Sequence, residues 1–420
     1  MEDGSDVTDS ADTPPGGARG RRRWLRWTAL GAAVVVLMAA GVGWWLYRKL
    51  DGNITTDTTA AAELLKYEKE RPSPAVNAAR NILLIGSDTR AGAGNGKYGQ
   101  DGGTQRSDTT ILLHLSAGGA GATAVSIPRD LMVHIPSCAR TGSEKGGKKG
   151  GKKGGKEGGK EGGGQDGGRT SPQFAQFNWA FEFGGTACTI RTLEKLTGIR
   201  IDHHMVIDFR GFKKMVDAVD GVEICLKEPI DDEDAHLKLP AGRQVLHGEQ
   251  ALGFVRARKS LGNGSDTERM DRQQQFLGAL VSKVQSDGVL LNPTRLYPVL
   301  DAATKSITTD PGLASLRDLY DLARSMRAIP TEKVQFLTVP RRSYPPNPNR
   351  DELVQPAADQ LFARLRADQP VTVRPGGTGK ADGAGESDGA GESGRTAEEP
   401  GASSAAPSFA GRNAAEGACR

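Results

Sequence analysis

NILLIGSDTR, at residues 81–90, is the stretch that decides the fold. It is an apolar run bounded by turn-forming residues, a pattern typical of a buried strand. Three later runs have the same character and predict further strands: TTILLHLS at 109–116, TAVSIP at 123–128 and LMVHIP at 131–136. Polar and charged residues follow or precede these runs directly. Because sites in open α/β sheets form at strand ends, we expect those residues to meet.

Helical patterns alternate with the strands. FRGFKKMVDAV at 209–219 places its Phe, Met and Val residues on one helical face and is followed by a stop at Gly221. Further helices are predicted at 186–196, 271–286, 292–304, 313–326 and 355–367, and further strands in HMVID, VEICL and VQFLTVP. This interleaving predicts an α/β domain with a central mixed sheet between helical layers.

Residues 28–47 carry no charge and are long enough to cross a bilayer as a helix. Five arginines precede this run, so the positive-inside rule predicts a cytoplasmic N-terminus and an extracytoplasmic remainder. A cleaved signal peptide is the alternative, but no small-residue cleavage site follows the run. We therefore predict a single-pass membrane protein, in contact with membrane lipid through this helix.

The composition divides the chain into five parts. We predict a disordered cytoplasmic tail, a membrane helix with its flanks, a stalk, one folded domain and a disordered C-terminal tail, at 1–23, 24–49, 50–79, 80–370 and 371–420. Both tails are rich in Gly and small polar or charged residues, which cannot bury a core.

Residues 142–169 interrupt the folded domain with a Gly- and Lys-rich segment that has no apolar residue. Such a segment cannot pack and is predicted to be a flexible loop. One interpretation is a tolerated surface insertion, because added loop length costs little free energy. The other is a cationic arm that contacts anionic wall polymer or lipid headgroups.

The four cysteines are Cys138, Cys188, Cys225 and Cys419. Disulfides persist in an oxidising extracytoplasmic setting, and four cysteines allow three complete pairings. We favour Cys138–Cys188, which would tie the end of a strand to a helix across the Gly- and Lys-rich loop and restrict the unfolded chain.

Arginines concentrate in two distant regions, 81–130 and 254–275. The candidate arginines are Arg106, Arg129, Arg256, Arg258, Arg269 and Arg272, and the candidate aspartates beside them are Asp88 and Asp108. Arginine forks match phosphate oxygens, and carboxylates hold the magnesium that often accompanies phosphate. The sequence therefore predicts a site for a multiply charged phosphate. In RMDRQQQ, Arg269 and Gln273 lie four residues apart and would share a helical face, whereas Arg272 would point elsewhere and could form a surface ion pair.

Other chemistries are poorly supported. The net charge is only +4, which does not argue for nucleic acid. The histidines show no metal-ligand spacing, and Ser87 and Ser107 have no matching His/Asp order for a hydrolase triad.

Seven segments in this order resemble the LytR-CpsA-Psr family, across about residues 81–285. They are LLIGSDTR, RSDTTILL, SIPRDLMVHIP, FNWAFEFGG, LTGIRIDHHMVIDFRGFKKMVDAVDGV, GEQALGFVRARKS and DTERMDRQQQFL. The sequence departs from the family's pattern at Gln176, where Lys is frequent, and at Asp220, where a second Gly is common.

The resemblance implies a membrane-anchored phosphotransferase that moves an anionic glycopolymer, such as teichoic acid, from a polyprenyl-pyrophosphate carrier onto peptidoglycan. It implies pyrophosphate binding by Arg106, Arg129, Arg256, Arg258, Arg269 and Gln273, magnesium binding by Asp88 and Asp108, and catalytic roles for Asp88, Asp108 and Arg129. Two alternatives remain open: a hydrolase acting on the same carrier, and a non-catalytic regulator that binds wall lipid.

Overall fold

The computed structural model describes residues 18–75, 77–87, 107–140, 168–257, 266–286, 293–374 and 407–417. The chain divides into two compact units, residues 1–52 and 53–420. The first unit contains helix α1 (Ala18–Asp51). Its Arg26–Asp51 portion contains an apolar window with a mean hydropathy of 2.0 and no buried residue, and is long and apolar enough to cross a membrane.

Helix α1 begins earlier than the sequence predicted. The tail was expected to stay disordered through residue 23, but the helix already starts at Ala18. Arginine is a good helix former, so the basic run before the apolar segment extends the helix instead of ending it.

The second unit is the α/β domain that the sequence predicted, with a mixed sheet. Its helices are α2 (Thr58–Lys66), α3 (Trp179–Thr197), α4 (Phe209–Ala218), α5 (Gly248–Arg256), α6 (Asp266–Ser286), α7 (Pro293–Thr304), α8 (Leu316–Arg327) and α9 (Ala357–Arg366). The first strands are β1 (Thr55–Thr56), β2 (Arg80–Ser87), β3 (Ser107–Leu115), β4 (Ala122–Ile127), β5 (Met132–Ile135), β6 (Gln173–Gln176), β7 (His203–Asp208) and β8 (Val222–Leu226). The later strands are β9 (Ile230–Asp232), β10 (Leu237–Leu239), β11 (Gly242–Leu246), β12 (Ile307–Thr309), β13 (Val334–Thr338), β14 (Arg341–Tyr344), β15 (Asn347–Leu353), β16 (Thr372–Arg374) and β17 (Ser408–Asn413).

Nine of these strands form the main sheet, in the order β1-β12-β7-β2-β3-β4-β13-β17-β16. Strand β2 pairs parallel with β7 and antiparallel with β3, which pairs antiparallel with β4. The C-terminal ends of β2, β4 and β7 therefore share one edge with the N-terminal end of β3. That edge collects the polar residues that flank the apolar runs.

The predicted stalk is wrong, because most of it belongs to the folded domain. Strand β1 pairs with β12, and Ala60 and Leu64 of α2, four residues apart, are buried in the core. Arg71 donates to the buried carboxylate of Glu194 on α3 at 2.8 Å. An apolar helical face and a buried ion pair thus fix this segment against the domain.

The prediction of a disordered C-terminal tail is also wrong in part. Strand β16 pairs parallel with β17, and β17 pairs antiparallel with β13. Phe409 and Ala414 are buried in the core. The low-complexity composition of the preceding residues concealed this short apolar segment, which completes the sheet.

The disulfide Cys138–Cys188 is present, as we predicted, and joins the segment after β5 to α3. Cys225 is disulfide-bonded as well. Helix α3 is kinked at Gly184 and Gly185, and Gly185 has a φ of 60°. A Cβ on Gly184 would lie 2.8 Å from Cys188 Cβ and 2.9 Å from Cys138 Cβ. Glycine is therefore required where the helix bends past the disulfide.

Asp310 connects β12 to β7, and its carboxylate should make the stability of the fold depend on pH. Its carboxylate accepts hydrogen bonds from the backbone N–H groups of His204 (3.0 Å) and Gly312 (2.7 Å) and contacts His203 Nδ1 at 3.1 Å. Burial by itself raises the pKa of Asp310, but these hydrogen bonds outweigh it and hold the pKa below the ordinary 3.8. A depressed carboxyl pKa stabilises the fold above pH 3.8 and loses that effect as the pH falls through the folded-state value.

We therefore expect Asp310→Asn to lower the free energy of unfolding by about 1–3 kcal/mol at neutral pH, because the hydrogen-bonded carboxylate is lost. The difference from the unchanged protein should shrink at pH 3, where that carboxylate is protonated on unfolding. Urea denaturation at the two pH values measures both effects. Asp321→Asn is the control, because Asp321 is exposed and its contact with Arg317 is long, at 4.0 Å. Equal losses at both pH values would contradict the assignment.

Candidate active site

A cavity of about 940 Å³ opens at the sheet edge where β2, β4 and β7 end. The start of β3, the segment after β4, the end of β6 and helices α4, α5 and α6 also contribute to its lining. Strand ends from one edge of the sheet therefore meet helices packed beside it, as the sequence predicted.

The cavity brings together five of the predicted site residues that are far apart in sequence. They are Asp108, Arg129, Arg256, Arg269 and Gln273. The remaining three, Asp88, Arg106 and Arg258, lie outside the described residues, as does the 142–169 loop apart from its last two positions.

Charged groups alternate in a row along one wall. Arg269 Nη2 donates to the backbone oxygen of Asp108 at 3.4 Å. Arg129 then joins two carboxylates, with Nη1 3.1 Å from Asp108 Oδ1 and Nε 3.2 Å from Asp130 Oδ2. Arg350 follows, with Nη1 3.3 Å from Asp130 Oδ1. The row leads from α6 to β15.

Helices α5 and α6 supply the second polar group. Arg256 ends α5, and its guanidinium carbon lies 4.8 Å from the centre of the Phe209 ring, a cation–π contact. Gln273 Nε2 lies 3.1 Å from Thr109 Oγ1 and 3.2 Å from the backbone oxygen of Val255. Arg269 and Gln273 both face the cavity, consistent with their spacing of one helical turn.

The rest of the lining is strongly apolar. It includes Leu84, Ile111, Ile207, Phe209, Phe212, Leu252, Val255, Phe276 and Leu277. These residues come from β2, β3 and β7 and from α4, α5 and α6. One cavity thus combines a charged wall with an apolar wall, which suits a ligand that has a phosphate headgroup and a hydrocarbon chain.

Four arginines and five aspartates line the cavity among the described residues. Two of these carboxylates have structural partners: Asp208 accepts from Gly211 N at 2.6 Å, and Asp232 from Ala235 N at 2.9 Å. The aspartates of the described lining thus outnumber the arginines by one, so a pyrophosphate would gain from an accompanying cation.

The described residues contain no group of three His, Cys, Asp or Glu side chains that could hold a metal ion. Mg²⁺ does not need such a group, because it binds through one or two carboxylates together with phosphate oxygens and water. Asp108 lines the cavity and its carboxylate is about a third exposed. A single carboxylate that lines a cavity beside several arginines fits this requirement.

Arg272 corrects one interpretation of the sequence. It was considered a candidate for a surface ion pair, but it is buried and donates to the backbone oxygen of Ala257. Burial lowers the pKa of its guanidinium, and Glu268, Asp232 and Asp271 partly offset this effect. Arg272 thus fixes the residue between Arg256 and Arg258, which is the segment that carries two predicted phosphate ligands.

Two site residues were missed or undervalued. Asp130 was not among the predicted site residues, and it accepts from Arg129, Gln176 and Arg350. Arg350 lies in YPPNPNR, outside every recognised motif. The tertiary bridge between Leu131 and Asp351 brings it to the cavity, and no sequence signal reports that bridge.

The departures at Gln176 and Asp220 have different consequences. Gln176 lines the cavity and donates through Nε2 to Asp130 Oδ1, so a neutral amide occupies this part of the charged wall. Asp220 lies in a turn after α4 with a φ of 60°, a conformation that Asp tolerates. Asn178 also lines the cavity, and its buried Oδ1 has no hydrogen-bond partner among the described residues.

Comparison with known proteins gives consistent relatives. The chain is 30% identical over 317 residues to the cell wall biosynthesis protein LcpA of Corynebacterium glutamicum; the match covers 73% of this chain and 58% of LcpA. It therefore spans little more than half of LcpA. The chain is 26% identical over 314 residues to the polyisoprenyl-teichoic acid–peptidoglycan teichoic acid transferase TagU of Oceanobacillus iheyensis, covering 71% of this chain and 81% of TagU.

The crystal structure of Bacillus subtilis TagV has a similar fold. It is 22% identical, has a TM-score of 0.50, and covers 69% of this chain and 96% of TagV. The sequence model of the LytR_cpsA_psr family matches residues 50–367, which include every described element that lines the cavity. The chain therefore belongs to the LytR_cpsA_psr family.

Proposed function

We propose that this protein transfers an anionic glycopolymer from a polyprenyl-pyrophosphate carrier to peptidoglycan, with formation of a phosphodiester link. The observation that carries the proposal is the convergence of Asp108, Arg129, Arg256, Arg269 and Gln273 on one cavity that also has an apolar wall. The names of LcpA and TagU support it, because both describe cell wall assembly and TagU is named as a transferase.

The two walls suggest how the donor binds. The prenyl chain would lie against Phe212, Leu252 and Phe276, where it is removed from water. The pyrophosphate would then contact the charged row together with Arg256 of α5 and Gln273 of α6. Each charge-assisted hydrogen bond contributes about 1.5–3 kcal/mol, so several outweigh the desolvation of the headgroup.

In the proposed reaction, a hydroxyl oxygen of peptidoglycan attacks the phosphorus next to the glycan. The bond between that phosphorus and the bridging oxygen breaks, and polyprenyl phosphate leaves with the bond's electron pair. The hydroxyl proton passes to a base, for which Asp108 is a candidate, or to water. Arg129 and Arg256 stabilise the negative charge that spreads over the phosphate and the leaving group.

Magnesium belongs to this proposal as a cofactor, and Asp108 and Asp88 would hold it. When bound, Mg²⁺ would neutralise phosphate charge that the nearly balanced lining leaves uncompensated. The chain's own residues bind the headgroup and orient it toward the acceptor.

The proposed location follows from α1 and from the charges around it. We propose that α1 anchors the chain in the cell membrane, with the arginine-rich end cytoplasmic and the α/β domain outside. This arrangement would expose the cavity to lipid-linked glycans and peptidoglycan outside the membrane.

Transfer can be tested with the full chain in detergent, a polyprenyl-pyrophosphate glycan, Mg²⁺ and peptidoglycan. We expect phosphoglycan covalently linked to the wall polymer, and faster release of polyprenyl phosphate when peptidoglycan is added, because the acceptor hydroxyl is the nucleophile. Mass spectrometry of wall fragments and the rate of release measure the two effects.

Two outcomes would replace the proposal. Release of polyprenyl phosphate at a rate independent of peptidoglycan, with no linked product, would identify a hydrolase. Binding of the carrier with no turnover at all, with or without Mg²⁺, would identify a regulator instead of an enzyme.

A further inference from the structure

Arg350 lines the cavity although it belongs to a hairpin far from every recognised motif. Strands β14 and β15 form this hairpin, and Arg350 is the last member of the charged row described above. Its Nη1 lies 3.3 Å from Asp130 Oδ1, and its side chain is 31% exposed. The Arg350 side chain therefore lines the cavity and is partly exposed to solvent.

The hairpin holds Arg350 in place through its neighbour Asp351. The buried Asp351 carboxylate accepts from the buried Arg341 across the hairpin. The backbone N–H of Asp351 donates to the backbone carbonyl oxygen of Asp130 at 3.1 Å. Arg350 is thus held beside Asp130 through its neighbour Asp351.

The order of the charged row defines the two ends of the headgroup site. At the α6 end, Arg269 and Gln273 lie on the same helix as Phe276, part of the apolar wall. At the β15 end, Arg350 shares Asp130 with Arg129 and Gln176. A prenyl chain on the apolar wall would therefore place its nearer phosphate toward α6.

We propose that Arg350 binds the phosphate that is farther from the prenyl chain, the group that would carry the glycan. This inference rests on the proposed function, because it assumes a prenyl-pyrophosphate headgroup. A guanidinium has five N–H donors, so Arg350 can hold Asp130 and a phosphate oxygen together. Arg350 would then distinguish diphosphates from monophosphates.

Two probes that share one prenyl chain test this assignment: farnesyl diphosphate and farnesyl monophosphate, with the full chain in detergent. We expect Arg350→Ala to raise the Kd for the diphosphate by about tenfold or more, the loss of one charge-assisted contact. The Kd for the monophosphate should stay within about twofold, because its phosphate lies at the other end. Arg350→Lys should restore part of the affinity, since it keeps the charge but not the fork.

Arg342→Ala is the matched control. Arg342 lies in the same hairpin, is 58% exposed and pairs with Glu352 outside the cavity lining, so both affinities should stay unchanged. Thermal unfolding of each variant reports whether the hairpin is intact.

The outcomes separate this inference from the proposed function. If the unchanged protein binds the diphosphate but Arg350→Ala affects neither probe, or weakens both equally, Arg350 does not bind the distal phosphate. If the unchanged protein binds neither probe, the pyrophosphate-carrier proposal falls and takes this inference with it.

Discussion

Replacing Arg129 with alanine should lower kcat/KM for transfer by at least about 100-fold, the effect of removing one preorganised donor from a charged transition state. Arg129 is the side chain that joins Asp108 and Asp130. Its loss removes a cation that neutralises two carboxylates at the proposed headgroup site. Both effects oppose binding of an anion, so the Kd for a prenyl diphosphate should rise as well.

Two further substitutions make the Arg129 result interpretable. Arg129→Lys keeps the charge but cannot hold both carboxylates and a phosphate in one planar fork, so we expect only partial activity. Arg243→Ala removes a 62% exposed arginine on β11 that lies outside the cavity lining, and activity should be unchanged. Steady-state transfer rates and thermal unfolding give the readouts. Full activity of a folded Arg129→Ala protein would exclude the proposed headgroup site.

Removing the Cys138–Cys188 disulfide should produce the largest loss of stability. The two cysteines are 50 residues apart. Loop-closure entropy predicts about 4 kcal/mol of stabilisation for a loop of this size. Both cysteines are buried against the kink at Gly184, so their alanine replacements also leave core volume unfilled.

We expect the double variant Cys138→Ala, Cys188→Ala to unfold at clearly lower urea concentration than the unchanged protein under oxidising conditions. Under reducing conditions the two proteins should become more similar, because the reductant opens the same bond. Denaturation curves in both conditions measure this difference. Equal stability under oxidising conditions would mean that tertiary packing alone fixes the two ends of the loop.

The elements that the sequence predicted well are those with a strong local signal. Apolar runs such as residues 82–85 need burial on both faces, and the periodic pattern of Phe209, Phe212 and Val216 needs one buried face. The stalk and the C-terminal tail were mistaken because their order depends on distant partners. Strand β1 forms by pairing with β12, and β17 forms by pairing with β13 and β16.

The residues of the candidate site divide in the same way, into those with a local sequence signal and those placed by distant partners. Residues that follow or precede predicted strands, such as Asp108 and Arg129, could be placed together from sheet geometry alone. The spacing of Arg269 and Gln273 was sufficient to put them on one helical face. Arg350 could not be found this way, because its place depends on the bridge between Asp351 of the hairpin and Leu131, the residue before β5. Arg272 was misjudged because charge alone does not report burial.

Strand β17 matters to anyone who shortens this protein for crystallisation. A version that stops after α9 would uncover β13 along the ladder that Gln335, Phe336 and Leu337 form with β17. Bare strands with apolar neighbours recruit strands from other molecules. Aggregation of such a truncated protein would then reflect the missing sheet partner. A version that ends after Gly417 would keep β13 paired.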